Sequence, residues 1–123
     1  MLNRLKAVTH RGRLILMCDY SHLILWKEWE ELLHAEHEAM AALPRGSVRS
    51  LSIMTGSRMS QQVTDAMKAV TLKNKPYIKV SAIVGLNPLQ RSVLIKTVER
   101  DADRTWAAFD TVEEALDWLA EPD

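Results

Sequence analysis

"SAIVGLNPLQ", residues 81–90, decides the fold of this chain. Ala82, Ile83, Val84 and Leu86 form an apolar run interrupted by Gly85, and Asn87-Pro88 then supplies a cap followed by proline at the first helical position. The reading is a buried strand that ends at a glycine and turns directly into a helix. Helix N–H groups aimed at a strand end hold phosphate in many proteins. A dinucleotide fingerprint, however, needs three glycines at set spacing, and a P-loop needs Gly-Lys-Ser/Thr after a glycine-rich turn. "VGLNPLQ" has one glycine and no lysine. Gly85 is therefore read as a tight turn and Asn87 as a helix start, with an incidental anion still physically sensible there.

The same strand-to-helix alternation extends in both directions. Residues 4–9 and 13–19 flank "HRGR", where Gly12 suits a tight hairpin, and "RLILMC" is apolar on both faces, as a strand buried between layers would be. Trp26 to Leu43 has helical spacing and stops at Pro44-Arg45-Gly46. "SVRSLSIMTG" reads as a strand ending at Gly56. Ser60 caps the next helix, whose apolar stripe is Val63, Ala66, Met67 and Val70. "YIKVSAIVG" is the third strand after the hairpin turn, and Pro88 to about Arg100 the following helix, with Leu89, Val93 and Leu94 expected to face the sheet and Ile95 to point outward. "TWAAFD" is a short further strand. Thr111 and Glu114 form a capping box before the stripe Val112, Ala115, Leu116 and Leu119. The expected architecture is one α/β domain over residues 1–123, a hairpin leading into a largely parallel sheet of four to five strands with about four helices and right-handed crossovers.

Composition fits that domain and narrows the function classes. The chain has 123 residues, 47% apolar and 26% charged, with 16 basic residues balancing 16 acidic ones. A zero net charge offers no global field for nucleic acid or an anionic membrane. No apolar run exceeds the five residues of Leu14 to Cys18, far short of the roughly 20 residues a bilayer span requires. No signal-peptide core with a small-residue cleavage site begins the chain. Cys18 is the single cysteine, so neither an internal disulfide nor a cysteine-based zinc site is available. The expectation is a soluble, cytoplasmic protein without cofactor or metal.

Three segments carry a resemblance. "GSVRSLSIMTG" (46–56), "KPYIKVSAIVGLNPLQRSVL" (75–94) and "FDTVEEALDWL" (109–119) resemble the SpoIIAA-like family, small bacterial proteins related to STAS domains, the fold of anti-sigma-factor antagonists. The likeness runs over roughly residues 13–120 and rests on segment order and local pattern. It implies a domain in which a hairpin joins a mixed sheet, and a regulatory or protein-interaction role without catalysis. An unidentified protein partner and a homodimer are the expected associations. Antagonists of this type carry an Asp-Ser pair at the start of a helix, and that serine is phosphorylated. The matching stretch here is "MTGSRMSQQV", where Ser57 and Ser60 lie near the right place but neither follows an aspartate. Both are kept as candidate phospho-acceptors, with Ser60 read first as a helix cap.

In a parallel sheet, ligands bind outside the C-terminal strand ends. That edge collects the candidate site: Asp19 and Tyr20 from one loop, Thr55, Ser57 and Arg58 from a second, Gly85 and Asn87 from a third. Arg58 is the only cation in the three loops and precedes a helix N-terminus, which favours an anion contact. The alternative to a protein-interaction module is thus a binder of a small apolar or anionic ligand at this edge. Elsewhere, His34 with Glu30 and Glu38 projects onto the solvated face of its helix, where mixed His and Glu are ordinary. Glu36 projects into the apolar stripe among Trp29, Leu32, Leu33 and Met40. The expectation is that it sits at the stripe's edge, with its head group reaching water or an arginine. Cys18 lies inside an apolar strand, where a thiol is inert, and no Gly-x-Ser-x-Gly turn occurs. No enzyme class is indicated.

Overall fold

Arg11 and Gly12 both take positive φ (50° and 79°), the geometry of a two-residue hairpin turn. The turn joins β1 (Leu5–His10) to β2 (Arg13–Asp19), which pair antiparallel. The computed structural model describes residues 2–100 and 106–122. After β2 come α1 (Trp26–Ala41), β3 (Val48–Ile53), α2 (Gln61–Asn74), β4 (Ile78–Val84), α3 (Pro88–Arg100), β5 (Trp106–Phe109) and α4 (Val112–Leu119). The sheet order is β1-β2-β3-β4-β5, with every pair after the hairpin parallel. The expected α/β domain, mixed sheet and four helices are thus observed.

Local chemistry explains the helix boundaries. Ser60 Oγ accepts the Val63 N–H at 3.2 Å, and Thr111 Oγ1 accepts that of Glu114 at 3.2 Å while its hydroxyl donates to the Glu114 carboxylate. At the far end of α4, buried Arg49 donates to the carbonyls of Leu119 (2.6 Å) and Glu121 (3.3 Å), which would otherwise lack partners.

Side chains alternate across the sheet, and the two faces differ in chemistry. Ile15, Leu51, Ala82 and Val84 pack against Ala115 and Leu119 of α4 in an apolar cluster, with the buried Arg49 side chain on the same face. The opposite face carries Cys18 and Ile83 under Trp29, Leu32 and Leu33 of α1 and Val63 and Met67 of α2. Between those residues, the same face holds Ser50 and Ser81, directly paired in the register of β3 and β4 and hydrogen-bonded at 2.6 Å.

Three expectations need correction. Leu14 is exposed: it follows the hairpin turn, and the layers that bury Ile15 and Cys18 do not cover it. Leu89 and Val93 do not face the sheet but are 75% and 53% exposed, while the side chains of Leu94 and Ile95 lie outside the described residues. Glu36 is not at the edge of its stripe. It is buried, with no arginine reaching it in the described structure. Among the described residues, no helix is long and apolar enough to cross a membrane.

Candidate functional site

The loops leaving β2, β3 and β4 meet at one edge, as the alternation of elements requires, and they are stitched together by their backbones. Tyr20 N–H donates to Ile53 O (2.8 Å), His22 N–H to Thr55 O (2.9 Å), Met54 N–H to Val84 O (2.7 Å), and Arg58 N–H to Leu23 O (3.0 Å). The parallel ladder therefore continues past the strand ends. Two glycines allow the loops to touch. Gly85, at φ +89°, lies so close to Thr55 that a Cβ would stand 2.6 Å from the Thr55 nitrogen. Gly56, at φ +65°, lies against the His22 imidazole, and His22 itself has φ +60°.

The edge residues are placed together, with their polar groups largely engaged. Asp19 Oδ1 accepts the Ser21 N–H at 2.8 Å. Ser57 donates to Met54 O through both its N–H (3.0 Å) and its hydroxyl (2.7 Å), and Ser60 is occupied as a cap. Asn87 Oδ1 accepts Gln90 N–H at 2.8 Å, and Gln90 Oε1 accepts Asn87 N–H at 3.1 Å. This reciprocal cap uses two of the N–H groups that made residues 81–90 resemble an anion cradle. Thr55 and Arg58 are exposed, and Arg58 has no side-chain partner among the described residues. Tyr20 belongs to the interior: 1% exposed, it stacks on Trp29 with ring centroids 5.2 Å apart. Arg4 also belongs to this edge and was missed by reading the loops alone. It comes from the turn before β1 and donates to Asp19 O (3.0 Å) and Ser21 O (2.8 Å).

The strand order bears on what such an edge does. Ligand crevices in open parallel sheets form where the order reverses and neighbouring loops part to opposite faces. Here β2, β3, β4 and β5 advance in one direction. The loops cross to their helices in parallel and close over one another.

A second polar cluster lies inside the domain. Burial pushes the Glu36 carboxyl up from its ordinary 4.5 to about 7, against the opposing pull of the neighbouring Cys18 thiol and Tyr20 hydroxyl. The same burial, together with the charge of Glu36, drives Cys18 and Tyr20 well above their usual ranges, so Cys18 stays a neutral thiol. Tyr20 Oη closes no well-formed hydrogen bond. Next to it, a cavity of about 50 Å³ extends between α1, α2 and the sheet, reaching Glu36, Ser50, Ser81 and Asn74. The His37 ring bonds Asn74 Oδ1 at 2.6 Å. His34 instead pairs with Glu38 at 2.8 Å on the exposed face, and no cluster of three or more potential metal ligands occurs among the described residues.

No family model matches the sequence, and neither does any curated protein. Solved structures match the fold, two of them as follows. One is the crystal structure of an uncharacterised DUF3478-family protein with a SpoIIAA-like fold from Shewanella loihica PV-4. It is 19% identical, with a TM-score of 0.73, and the match covers 94% of this chain and 92% of that one. The other is an anti-sigma-factor antagonist (STAS) domain protein from Planctomyces limnophilus. It is 16% identical, with a TM-score of 0.66, covering 95% of this chain and 98% of that one. The chain has the SpoIIAA-like, STAS-type fold.

Proposed function

We propose that this chain is a cytoplasmic, non-enzymatic regulatory module that works through protein–protein contact at the C-terminal edge of its sheet, either with a distinct partner or as a homodimer. One observation carries the reading. The edge is closed by loop-to-loop hydrogen bonds, yet it bears exposed apolar side chains, Ile24 (60%), Leu25 (63%) and Leu89 (75%), on the loops and helix starts that also present Arg58. A closed surface with apolar groups and one unpaired cation suits a protein face, whereas small ligands need concavity. The likeness to an anti-sigma-factor antagonist domain supports the same class of role.

The test compares the parent chain with Leu25→Asp and Arg58→Ala. Light scattering after size exclusion reads self-association, and pull-down from native lysate reads a partner. The expected result is a complex weakened several-fold by each change, while the melting temperature stays within the shift expected for less than about 0.5 kcal/mol at a surface site. A strict monomer that recovers no partner, or a complex indifferent to both substitutions, would overturn the reading.

A further inference from the structure

The interior cavity described above has an unusual chemical balance. It is lined by a carboxyl (Glu36), two paired hydroxyls (Ser50 and Ser81) and Asn74, all buried, with the Tyr20 hydroxyl close to Glu36 and Cys18 but in no well-formed hydrogen bond. Buried polar groups are almost always well bonded, so a carboxyl and a poorly bonded hydroxyl lining one cavity mark a place where a further partner fits. Among the described residues, no basic group offsets the burial of the Glu36 carboxyl. Arg49, the buried cation of the sheet, lies on the face covered by α4, where it caps that helix. From the elements around the cavity, Cys18 and Tyr20 of β2 face the Glu36 carboxyl, Lys75 after α2 stands exposed at the mouth, and His37 is engaged by Asn74.

From this arrangement we infer that the cavity is a binding site for a small nitrogenous cation of the guanidinium or amidinium class, held by Glu36 and Tyr20. A volume of about 50 Å³ is room for roughly three or four water-sized bodies, which matches the four heavy atoms of guanidinium. One edge of a planar cation would donate two parallel N–H bonds to the carboxylate, the strongest pairing available to that group. A further N–H would reach Tyr20 Oη, whose own hydroxyl points its proton to Glu36, and the serine oxygens would accept on the other side. Thr71, Val70 and Ile78, half-buried, line the way in. The site is separate from the edge surface proposed above and stands or falls independently of it.

The experiment titrates the isotopically labelled chain with guanidinium chloride at low millimolar concentration, against sodium chloride of equal ionic strength and against urea, and follows amide shifts. Saturable shifts confined to residues around Tyr20, Glu36, Ser50 and Ser81 are expected with guanidinium only. Because the cation requires the ionised carboxyl, which titrates at about 7, affinity should rise up to tenfold per pH unit between pH 5 and 7 and level off above. Glu36→Gln should weaken binding at least tenfold. Thr71→Phe, which blocks the mouth without touching the carboxyl, should do the same and remains informative if the first variant folds poorly. Shifts equal in sodium chloride, equal response to urea, a flat pH profile, or binding unchanged in both variants would each overturn the assignment.

Discussion

Glu36 should make the domain less stable as pH rises, the reverse of the common carboxylate behaviour. Its folded-state value of about 7 lies above its ordinary 4.5, because a charged carboxylate is poorly accommodated between α1 and the sheet. Between those two values the unfolded chain has released the proton while the folded chain still holds it. Raising the pH therefore favours unfolding across that window; the benefit is fully present below about 4.5 and gone above about 7. At about 1.36 kcal/mol for each tenfold difference in proton affinity, the interval amounts to on the order of 3 kcal/mol, a sizeable part of the 5–15 kcal/mol typical of whole domains. Glu36→Gln keeps the shape and removes the ionisation. Urea unfolding at pH 5 and pH 8 measures both chains. The variant should match the parent roughly at pH 5 and exceed it by on the order of 3 kcal/mol at pH 8, with unchanged m-values showing that the same surface is exposed. If the stability difference between variant and parent is the same at both pH values, Glu36 is not a buried acid and the account of its burial is wrong.

Two further outcomes follow from the packing. Gly85→Ala places a Cβ 2.6 Å from the Thr55 nitrogen and 2.9 Å from its Cα, at a φ of +89°, so it should cost at least about 2 kcal/mol of stability in a thermal melt. Arg49→Met removes the donor to the carbonyls of Leu119 and Glu121; a loss of roughly 2–3 kcal/mol is expected, with faster hydrogen exchange in α4 than in α1.

The elements were legible because each announces itself locally. Ser60, Asn87 and Thr111 are caps in the structure as in the sequence, and Gly12 makes the hairpin. The three loops were also legible as neighbours, since alternation of strand and helix brings them to one side, but Tyr20 turns into the interior. Their engagement was not legible. Whether Asn87 offers its N–H groups to a ligand depends on the Gln90 side chain, and whether loops part or close depends on strand order, which periodicity does not carry. Arg4 was missed because it arrives from a turn distant in sequence. Glu36 was correctly projected into the stripe, but its exit to water was assumed. The signal that would have found it is the serine pattern of β3: Ser50 and Ser52 alternate with Leu51 and Ile53, marking one face as polar beneath α1.

That alternation locates the chemistry of the molecule. Both faces of β3 and β4 are covered by helices, but only the α1 and α2 side keeps a cavity lined by polar groups. Leu51, Ala82 and Val84 meet Ala115 and Leu119 in apolar contact, and the buried Arg49 on that face is engaged by the carbonyls at the end of α4. One residue along each strand, Ser50 and Ser81 face α1 and α2, where an all-apolar surface would have let the helices close down. A slip of register by a single residue would exchange the two layers, burying hydroxyls under α4 and filling the cavity with Leu51 and Ala82. The present register is therefore what keeps an open, acid-lined space inside a sheet whose outer edge is sealed. The cation site proposed for this chain therefore lies under α1 and α2, apart from the edge proposed for contact with another protein.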